Sequence, residues 1–416
     1  MNILIVSQYF WPEEFKINDL VRELKVKKYK ITILTSNPSY PDKKLFNDYY
    51  INKKKYLSFS NNKIIRVPVI SRSNNKLKLF LNYLSFVISA STIGLWRIRK
   101  ERYDLIFVFQ TSPPTVIIPA LIIKKIKNSK MIIWILDLWP ETIVGMGFLK
   151  NKTLIKIFDK VLNRLYSAGD IIFCQSEYMK KTIIEKFKNQ KIPYENIKYL
   201  PVWAESLFAQ HIKVTKKNEI INHNFLKILF AGNIGDAQDF NIILKAAVNL
   251  KEEKIMWHIV GAGSKYEWLK KEIKLLNLES TVFLLGKQPI EKMPKFYEWA
   301  DVFLVTLKQS ISNSITIPGK IQSYLLSGKP ILAALNGAAS EVIKESGSGL
   351  VSPAENSDDF IKNVLEMSKM SYEQKKLMGN NGIKYSTNNF NKEKIINKFE
   401  GVIEETLNLV NINGKN

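Results

Sequence analysis

The sequence is poor in the residues that form cross-links or hold metals. A single cysteine, Cys174, rules out a disulfide framework and any site built on paired thiolates. Three histidines, His211, His223 and His258, are scattered, and none pairs with another at metal-ligand spacing. Neither the dinucleotide fingerprint GxGxxG nor a Walker-type phosphate loop is present. Carboxylates are outnumbered: 38 Asp and Glu stand against 62 Lys and Arg, giving a formal charge of +24. The opening MNILIVSQYF has no basic leader and no cleavage site, so it reads as a strand rather than a signal peptide. A reducing cytoplasm is the expected compartment.

The residues that are present exclude disorder. With 46% hydrophobic and 11% aromatic residues the chain buries real cores, and 416 residues suit two domains of about 200 each. The positive charge points to an anionic partner: nucleic acid, an acidic membrane surface or a polyanionic substrate. Lys, Ile and Asn abound throughout, so part of the excess is compositional. No helix-turn-helix, RRM or zinc-finger pattern supports nucleic acid, which is not an expected partner.

Along the chain, apolar runs alternate with helical patterns. Strands are expected at Ile3–Ser7, Lys30–Thr35, Leu105–Phe109, Met131–Leu136 and Ile171–Gln175, with a helix at Asn18–Lys28 and another from about Lys180. The runs are continuous rather than alternating, as in parallel strands covered on both faces. The pattern weakens between Lys191 and Asn224 and then restarts. Strands are expected at Lys227–Phe230, Met256–Val260, Val282–Leu285, Asp301–Thr306 and Pro330–Ala334, with helices at Asp239–Leu250 and Gly319–Leu326. The fold class is therefore α/β, with two doubly wound Rossmann-like domains at 1–200 and 201–385. A C-terminal helical segment, 386–416, is expected to cross back to the first domain. Ligands of such sheets bind at the carboxyl ends of the strands.

Leu77–Trp96 carries only Lys78 as a charge and approaches the length that spans a bilayer. Its Asn and Ser residues and its basic flanks fit two other readings: a helix lying on an anionic leaflet, or an ordinary core helix.

The strongest chemical segment is TIPGKIQSYLLSGKPIL, residues 316–332. Pro318 suits the first turn of a helix, Gly319 permits close backbone approach, and Lys320 adds a charge where a helix N-terminus already favours anions. Taken alone, the same residues make a plain capped helix. The loops AGNIG (Ala231–Gly235) and GAGS (Gly261–Ser264) follow the first two strands of the second domain, and turn backbone amides of Gly232, Asn233 and Gly235 toward an anion.

In this order of elements the chain resembles the GT-B glycosyltransferases of family 4, whose two domains face a cleft. The resemblance is carried by SQYFWPEEFKIND (Ser7–Asp19), NPSYPDKK (Asn37–Lys44), DLWPET (Asp137–Thr142), LPVWAE (Leu200–Glu205), FAGNIGDAQDF (Phe230–Phe240) and IPGKIQSYLLSGKPIL (Ile317–Leu332), and runs from residue 2 to about residue 355. These segments look like a subgroup that builds bacterial surface polysaccharides, the WbuB type of N-acetyl-L-fucosamine transferase in O-antigen synthesis. The family's paired donor-site glutamates fall at Ile315 and Ser323, so both carboxylates are missing. Ser323 retains one hydroxyl for the donor.

The resemblance implies a retaining transfer. The donor would be a UDP-sugar, such as UDP-N-acetyl-L-fucosamine or a related UDP-amino sugar, and the acceptor an undecaprenyl-diphosphate-linked saccharide. Catalysis would use no metal or other cofactor, at the inner face of the plasma membrane. The first domain would bind the acceptor and the second the donor. Asp137 would orient an acceptor hydroxyl or stabilise charge on the sugar; its plain alternative is a turn residue capping the next helix. Glu13 or Glu14 would serve as a polar anchor or general base, or simply as an acid pair at a helix start. Lys16 and Asn18 in the same loop would reach a phosphate or a sugar hydroxyl. Lys287 would contact the base or the diphosphate, or lie solvated. Glu341 would contact the donor, or cap its helix. Two rival functions remain open: a GT-B nucleotide-sugar epimerase and, more remotely, a nucleic-acid-binding protein.

Overall fold

Strands such as Leu105–Gln110 and Lys130–Ile135 are buried at nearly every position, because both faces of each sheet are covered by helices. The computed structural model describes residues 1–26, 29–40, 46–72, 75–188, 192–204 and 225–413. His211, His223, most of the 191–224 junction and the motif residues at 41–44 and 205 lie outside them. The chain divides into two units, one made of 1–144, 149–200 and 396–416, the other of 145–148 and 201–395.

In chain order the first half runs β1 (Asn2–Val6), α1 (Lys16–Val26), β2 (Lys30–Ser36), α2 (Asn47–Ile51), β3 (Ser58–Phe59), β4 (Asn62–Val67), α3 (Lys76–Ser89), α4 (Leu95–Arg97), β5 (Leu105–Gln110), α5 (Ile117–Lys127), β6 (Lys130–Ile135), α6 (Glu141–Gly145), α7 (Lys152–Tyr166), β7 (Ile171–Cys174), α8 (Glu177–Lys186) and β8 (Ile197–Tyr199). The sheet order is β3-β4-β2-β1-β5-β6-β7-β8, and only the β3–β4 pair is antiparallel. Chain direction reverses at β1 and β5, which puts the switch point where the loops after β1 and β5 emerge. The crossovers β4 to β5, β5 to β6 and β6 to β7 all run the same way across the sheet. Right-handed connection therefore places α3, α5 and α7 on one face, and α5 touches both neighbours.

The segment Leu77–Trp96 is packed on the sheet along one side, as the core-helix reading expected, and open along the other. It forms α3, a π turn at Ala90–Gly94, and α4. One side packs on the sheet: Asn82, Phe86, Ala90 and Gly94 are buried, and a methyl at Gly94 would lie 2.9 Å from Leu34. The other side is open, so only 28% of its most apolar stretch is buried. It is the one helix among the described residues long and apolar enough to cross a membrane, by length and composition alone.

The second half runs β9 (Leu226–Ala231), α9 (Phe240–Asn249), β10 (Ile255–Val260), α10 (Tyr266–Leu275), β11 (Val282–Gly286), α11 (Met293–Trp299), β12 (Val302–Thr306), α12 (Ile311–Ile315), α13 (Gly319–Leu326), β13 (Ile331–Ala334), α14 (Ala338–Ser346), β14 (Gly349–Ser352), α15 (Ser357–Lys369), α16 (Tyr372–Asn389) and α17 (Lys392–Asn413). Its sheet is wholly parallel, ordered β11-β10-β9-β12-β13-β14. That is the doubly wound Rossmann order, with its switch point between β9 and β12. A capping box joining Ser371 and Gln374 starts α16. The last helix, α17, begins in the second unit, which extends to Ile395, and belongs from Ile396 onward to the first. There Phe399 packs on Phe107 and Phe173, with ring centroids 5.0 and 5.7 Å away, and Glu405 pairs with Lys198 at 2.7 Å.

Candidate functional site

In the second unit the site is built around the end of β9. Gly232 leaves the strand with φ +146, and its N–H bonds the Val260 carbonyl at 2.9 Å. Two further glycines let the neighbouring loop close onto it. A methyl at Gly261 would sit 1.8 Å from the Gly232 oxygen, and one at Gly263 would sit 2.2 Å from the Ile234 oxygen. Both have positive φ, so only glycine fits without strain. Gly235, buried behind the loop, donates its N–H to Gln238 at 3.2 Å, while Asn233 is exposed. Gly261→Ala is expected to push the two loops apart at a cost of about 2 kcal/mol or more, read as a lowered urea midpoint.

Helix α13 faces this loop. Pro318 lies just outside the helix, not in its first turn as the sequence suggested, because its extended ψ of 132° makes it the cap and Gly319 the first helical residue. Pro318 supplies no side-chain cap, and Gly319 is open, with nothing within 4 Å of an added methyl. The Lys320 ammonium turns inward. It stands 3.8 Å from the centroid of the Phe230 ring, and a methyl at Gly232 would come within 2.9 Å of it. Its nitrogen is buried and has no hydrogen-bond partner among the described residues. Burial pushes its pKa down to about 7.

Tyr324, not singled out in the sequence, fastens helix to strand. Its hydroxyl accepts from the Ala231 N–H at 2.8 Å and donates to the Ala231 carbonyl at 3.2 Å. Ser323 is buried in the same helix, and Ile315 is buried at the end of α12. Glu341 sits in the first turn of α14, beyond the carboxyl end of β13. It does not cap that helix: its carboxylate has no partner among the described residues, and Gly337 occupies the cap position. Lys287 is exposed beyond β11, the edge strand, with β10 between it and the Gly232 loop.

In the first unit, β1 and β2 lie side by side, and the loops that follow them meet at Glu13. This carboxylate is buried and fully engaged. One oxygen accepts the N–H groups of Ser39 (2.9 Å) and Tyr40 (2.7 Å), the other that of Phe10 (3.2 Å). Of the readings open to Glu13, geometry favours the anchor over the base. Asn18 is likewise spent on the loop: its oxygen accepts from Trp11 N–H at 3.1 Å, and its amide donates to the Glu13 carbonyl at 2.7 Å. The same loop is also held by Arg66 on β4, two strands away in the sheet, which donates to the Trp11, Ser36 and Tyr56 carbonyls. Glu14 is exposed, and Lys16 opens α1 half-buried.

Burial pushes Glu13 up to about 7, against the pull of its three N–H donors. A carboxyl raised above its unfolded value holds its proton in the folded state. Its contribution to stability is complete below about 4.5 and lost as pH rises through about 7. Glu13→Gln keeps two of the three bonds. It is expected to cost about 1 kcal/mol at pH 5 and progressively less above pH 7, measured by thermal unfolding across pH.

Asp137 follows β6, beside the end of β5. Its carboxylate accepts from the Ser112 hydroxyl at 2.9 Å, and that hydroxyl in turn accepts from the Trp139 indole N–H at 3.1 Å. Gln110 at the end of β5 donates to the Asp137 carbonyl at 3.1 Å. Asp137 does not cap α6, which begins four residues later at Glu141. Burial raises its pKa, with the Ser112 bonds opposing. Trp134 and Trp203 are fully buried core residues. Among the described residues no group of three or more His, Cys, Asp or Glu side chains is placed to hold a metal ion.

Two Rossmann-like units, each with polar residues at the carboxyl ends of its parallel strands, are the architecture of the GT-B glycosyltransferases. Comparison with known proteins agrees. Residues 212–385 match the family described as Glycosyl transferases group 1. The chain is 23% identical over 345 residues to the putative colanic acid biosynthesis glycosyl transferase WcaI of Escherichia coli K12, covering 79% of this chain and 82% of that one. It is 22% identical over 282 residues to the probable glycosyltransferase WbjE of Pseudomonas aeruginosa, covering 66% and 69%. Among solved structures, Anabaena HepE in complex with UDP and glucose superposes with a TM-score of 0.68 at 14% identity, over 97% of this chain and 99% of that one. The protein is a glycosyltransferase of the GT-B fold.

Proposed function

We propose that the protein is a retaining glycosyltransferase of surface polysaccharide synthesis, which moves a sugar from a UDP-sugar to a lipid-linked saccharide. The observation that carries the donor half is Lys320: a buried ammonium with no hydrogen-bond partner among the described residues, beside a glycine loop and an open helix N-terminus. An unpaired buried cation is costly, and an anion is what offsets the cost. The diphosphate of a nucleotide-sugar supplies it, with the N–H groups of Gly319, Lys320 and Asn233 completing the cradle, and Gly232, which has no side chain, leaving room for its approach. The charge that develops on the leaving diphosphate is then met by fixed donors, and no metal is required.

Glu341, unpaired and beyond the carboxyl end of the adjoining strand β13, faces the sugar or ribose hydroxyls, with Ser323 contributing a hydroxyl and Lys287 reaching the base. In the first unit Asp137 acts on the acceptor hydroxyl or the sugar, and Glu14 and Lys16 line the acceptor approach, held in place by Glu13 and Asn18. The relative named for colanic acid biosynthesis and the basic charge support an acceptor held on an anionic inner leaflet, with the enzyme peripheral to it. An amino sugar of the N-acetyl-L-fucosamine type is the proposed donor sugar, on resemblance alone. Incubation with a panel of UDP-sugars and undecaprenyl-diphosphate saccharides, read by mass spectrometry with and without EDTA, tests this. Transfer from a UDP-sugar that survives chelation is expected. Absence of transfer from any UDP-sugar, or a strict metal requirement, overturns it.

A further inference from the structure

The outer face of the first unit carries two apolar stripes that the fold does not cover. On α3, Leu77, Phe80, Leu84 and Ile88 are spaced to lie along one side of the helix and are 42–65% exposed. On α7, Leu154, Ile157, Phe158 and Val161 follow the i, i+3, i+4, i+7 pattern that ordinarily faces a core, yet each is 46–55% exposed. The core-facing side of α7 is a different one, made by Leu162, Asn163 and Tyr166. Both helices belong to the layer on one face of the sheet, on either side of α5.

Charge is arranged to match. Lys156, Lys160 and Arg164 recur every fourth residue on α7, forming a cationic row beside its apolar stripe, and all three are exposed. The one acid of this helix, Asp159, is turned inward and paired with Lys186. On the other helix, Lys78 near the start and Arg97, Arg99 and Lys100 at the end are exposed. Apolar stripes bordered by cations suit an anionic bilayer surface, where side chains enter the acyl boundary while lysines and arginines meet the headgroups. An apolar protein partner would leave the cationic row unmatched. A bilayer span is excluded by the other side of α3, where Asn82 bonds Gln8 at 2.9 Å and Gly94 is pressed on Leu34.

We infer that α3 and α7 together form a two-helix platform that seats the first unit on an anionic lipid surface, with both helices lying in the interface. This rests on the reading of the acceptor as lipid-linked, and it adds α7 as the second half of the docking face. The platform would hold the strand-end site at a fixed height above the leaflet, so that an acceptor is met at its polar end without leaving the bilayer.

The test uses the full chain in sedimentation with vesicles of phosphatidylcholine alone and of phosphatidylcholine mixed with phosphatidylglycerol. Binding is expected only to the mixed vesicles, and is expected to weaken with salt. Phe158→Glu and, separately, Phe80→Glu should each lower that binding about tenfold or more. Leu275→Glu, at a residue 73% exposed in the second unit, should leave it unchanged. UDP binding by calorimetry should be the same in all three variants. Vesicle binding unaltered by Phe158→Glu overturns the inference, as does a wild-type dimer that ignores vesicles and dissociates on Phe158→Glu. Failure of UDP to bind the wild type would count against the donor reading and leave the vesicle result standing.

Discussion

Lys320→Met is expected to make the protein more stable and a worse binder of UDP. The two effects have opposite signs because one cause underlies both. The ammonium is buried over the Phe230 ring with no hydrogen-bond partner among the described residues, so the folded chain carries a polar group whose desolvation only a ring face offsets. Replacing it with an apolar chain of similar length removes a desolvation cost on the order of 1–3 kcal/mol, and the melting temperature rises. The same change deletes a charge-assisted bond to phosphate, and UDP affinity falls roughly 10- to 100-fold. A lysine that merely packed would lose stability on substitution and leave UDP binding alone.

The pH dependence sharpens this test. A lysine whose folded pKa lies near 7 is largely neutral at pH 8 to 9, whereas in the unfolded chain it stays charged up to about 10.5. Between these values the unfolded state holds more protons, so stability rises with pH across that window. Diphosphate binding favours the charged form, so UDP should bind with uptake of a proton. Its affinity should increase as pH falls from about 9 toward 7, by at most tenfold per unit. Titration calorimetry in buffers of different ionisation enthalpy reads this uptake directly. In Lys320→Met both the uptake and the slope should vanish.

The sheet strands and the glycine loop after β9 were legible because each depends on residues close together in sequence. Continuous apolar runs announced β1, β5, β6 and β9, and Pro318-Gly319-Lys320 announced the start of α13. The parts that escaped depend on the register of parallel strands. Glu13 was visible as an acid after β1, but its partners Ser39 and Tyr40 follow β2, and only the pairing of β1 with β2 brings them together. Lys320 and Phe230 are likewise 90 positions apart in the chain. Strand β4, with Arg66 on it, was not expected, because its apolar pair Ile64-Ile65 is short and sits among Asn, Lys and Arg residues. Helix α7 was missed for the opposite reason: its periodicity is strong, but a stripe that normally signals a core gives no hint from sequence that it faces outward. The absence of the family's glutamates at Ile315 and Ser323 was plain, whereas the unpaired state of Glu341 required coordinates.

Asp137→Asn is expected to lower kcat by roughly 10²- to 10³-fold with little change in the KM for the donor. Asparagine fits the same space and still accepts from the Ser112 hydroxyl through its amide oxygen. The chain from Trp139 to Ser112 therefore survives, and the melting temperature should move by less than about 1 kcal/mol of stability implies. What is lost is the negative charge at the end of β6. In a retaining transfer the sugar carbon becomes cationic in the transition state, and a carboxylate held by a fixed donor needs no reorganisation to meet that charge. Its benefit appears in the transition state and not in ground-state binding, hence the effect on kcat. Burial raises the Asp137 pKa above the ordinary aspartate range, so the acid limb of the wild-type pH–rate profile should lie higher than a solvated aspartate would give. That limb should be missing in Asp137→Asn. Were Asp137 only a turn residue, the variant would melt earlier while its rate and pH profile matched the wild type. Ser112→Ala provides the intermediate case: it removes the hydroxyl that orients the carboxylate but keeps the charge. A smaller loss, about tenfold, with the acid limb shifted further upward, is expected because a bond that favoured the ionised form is gone.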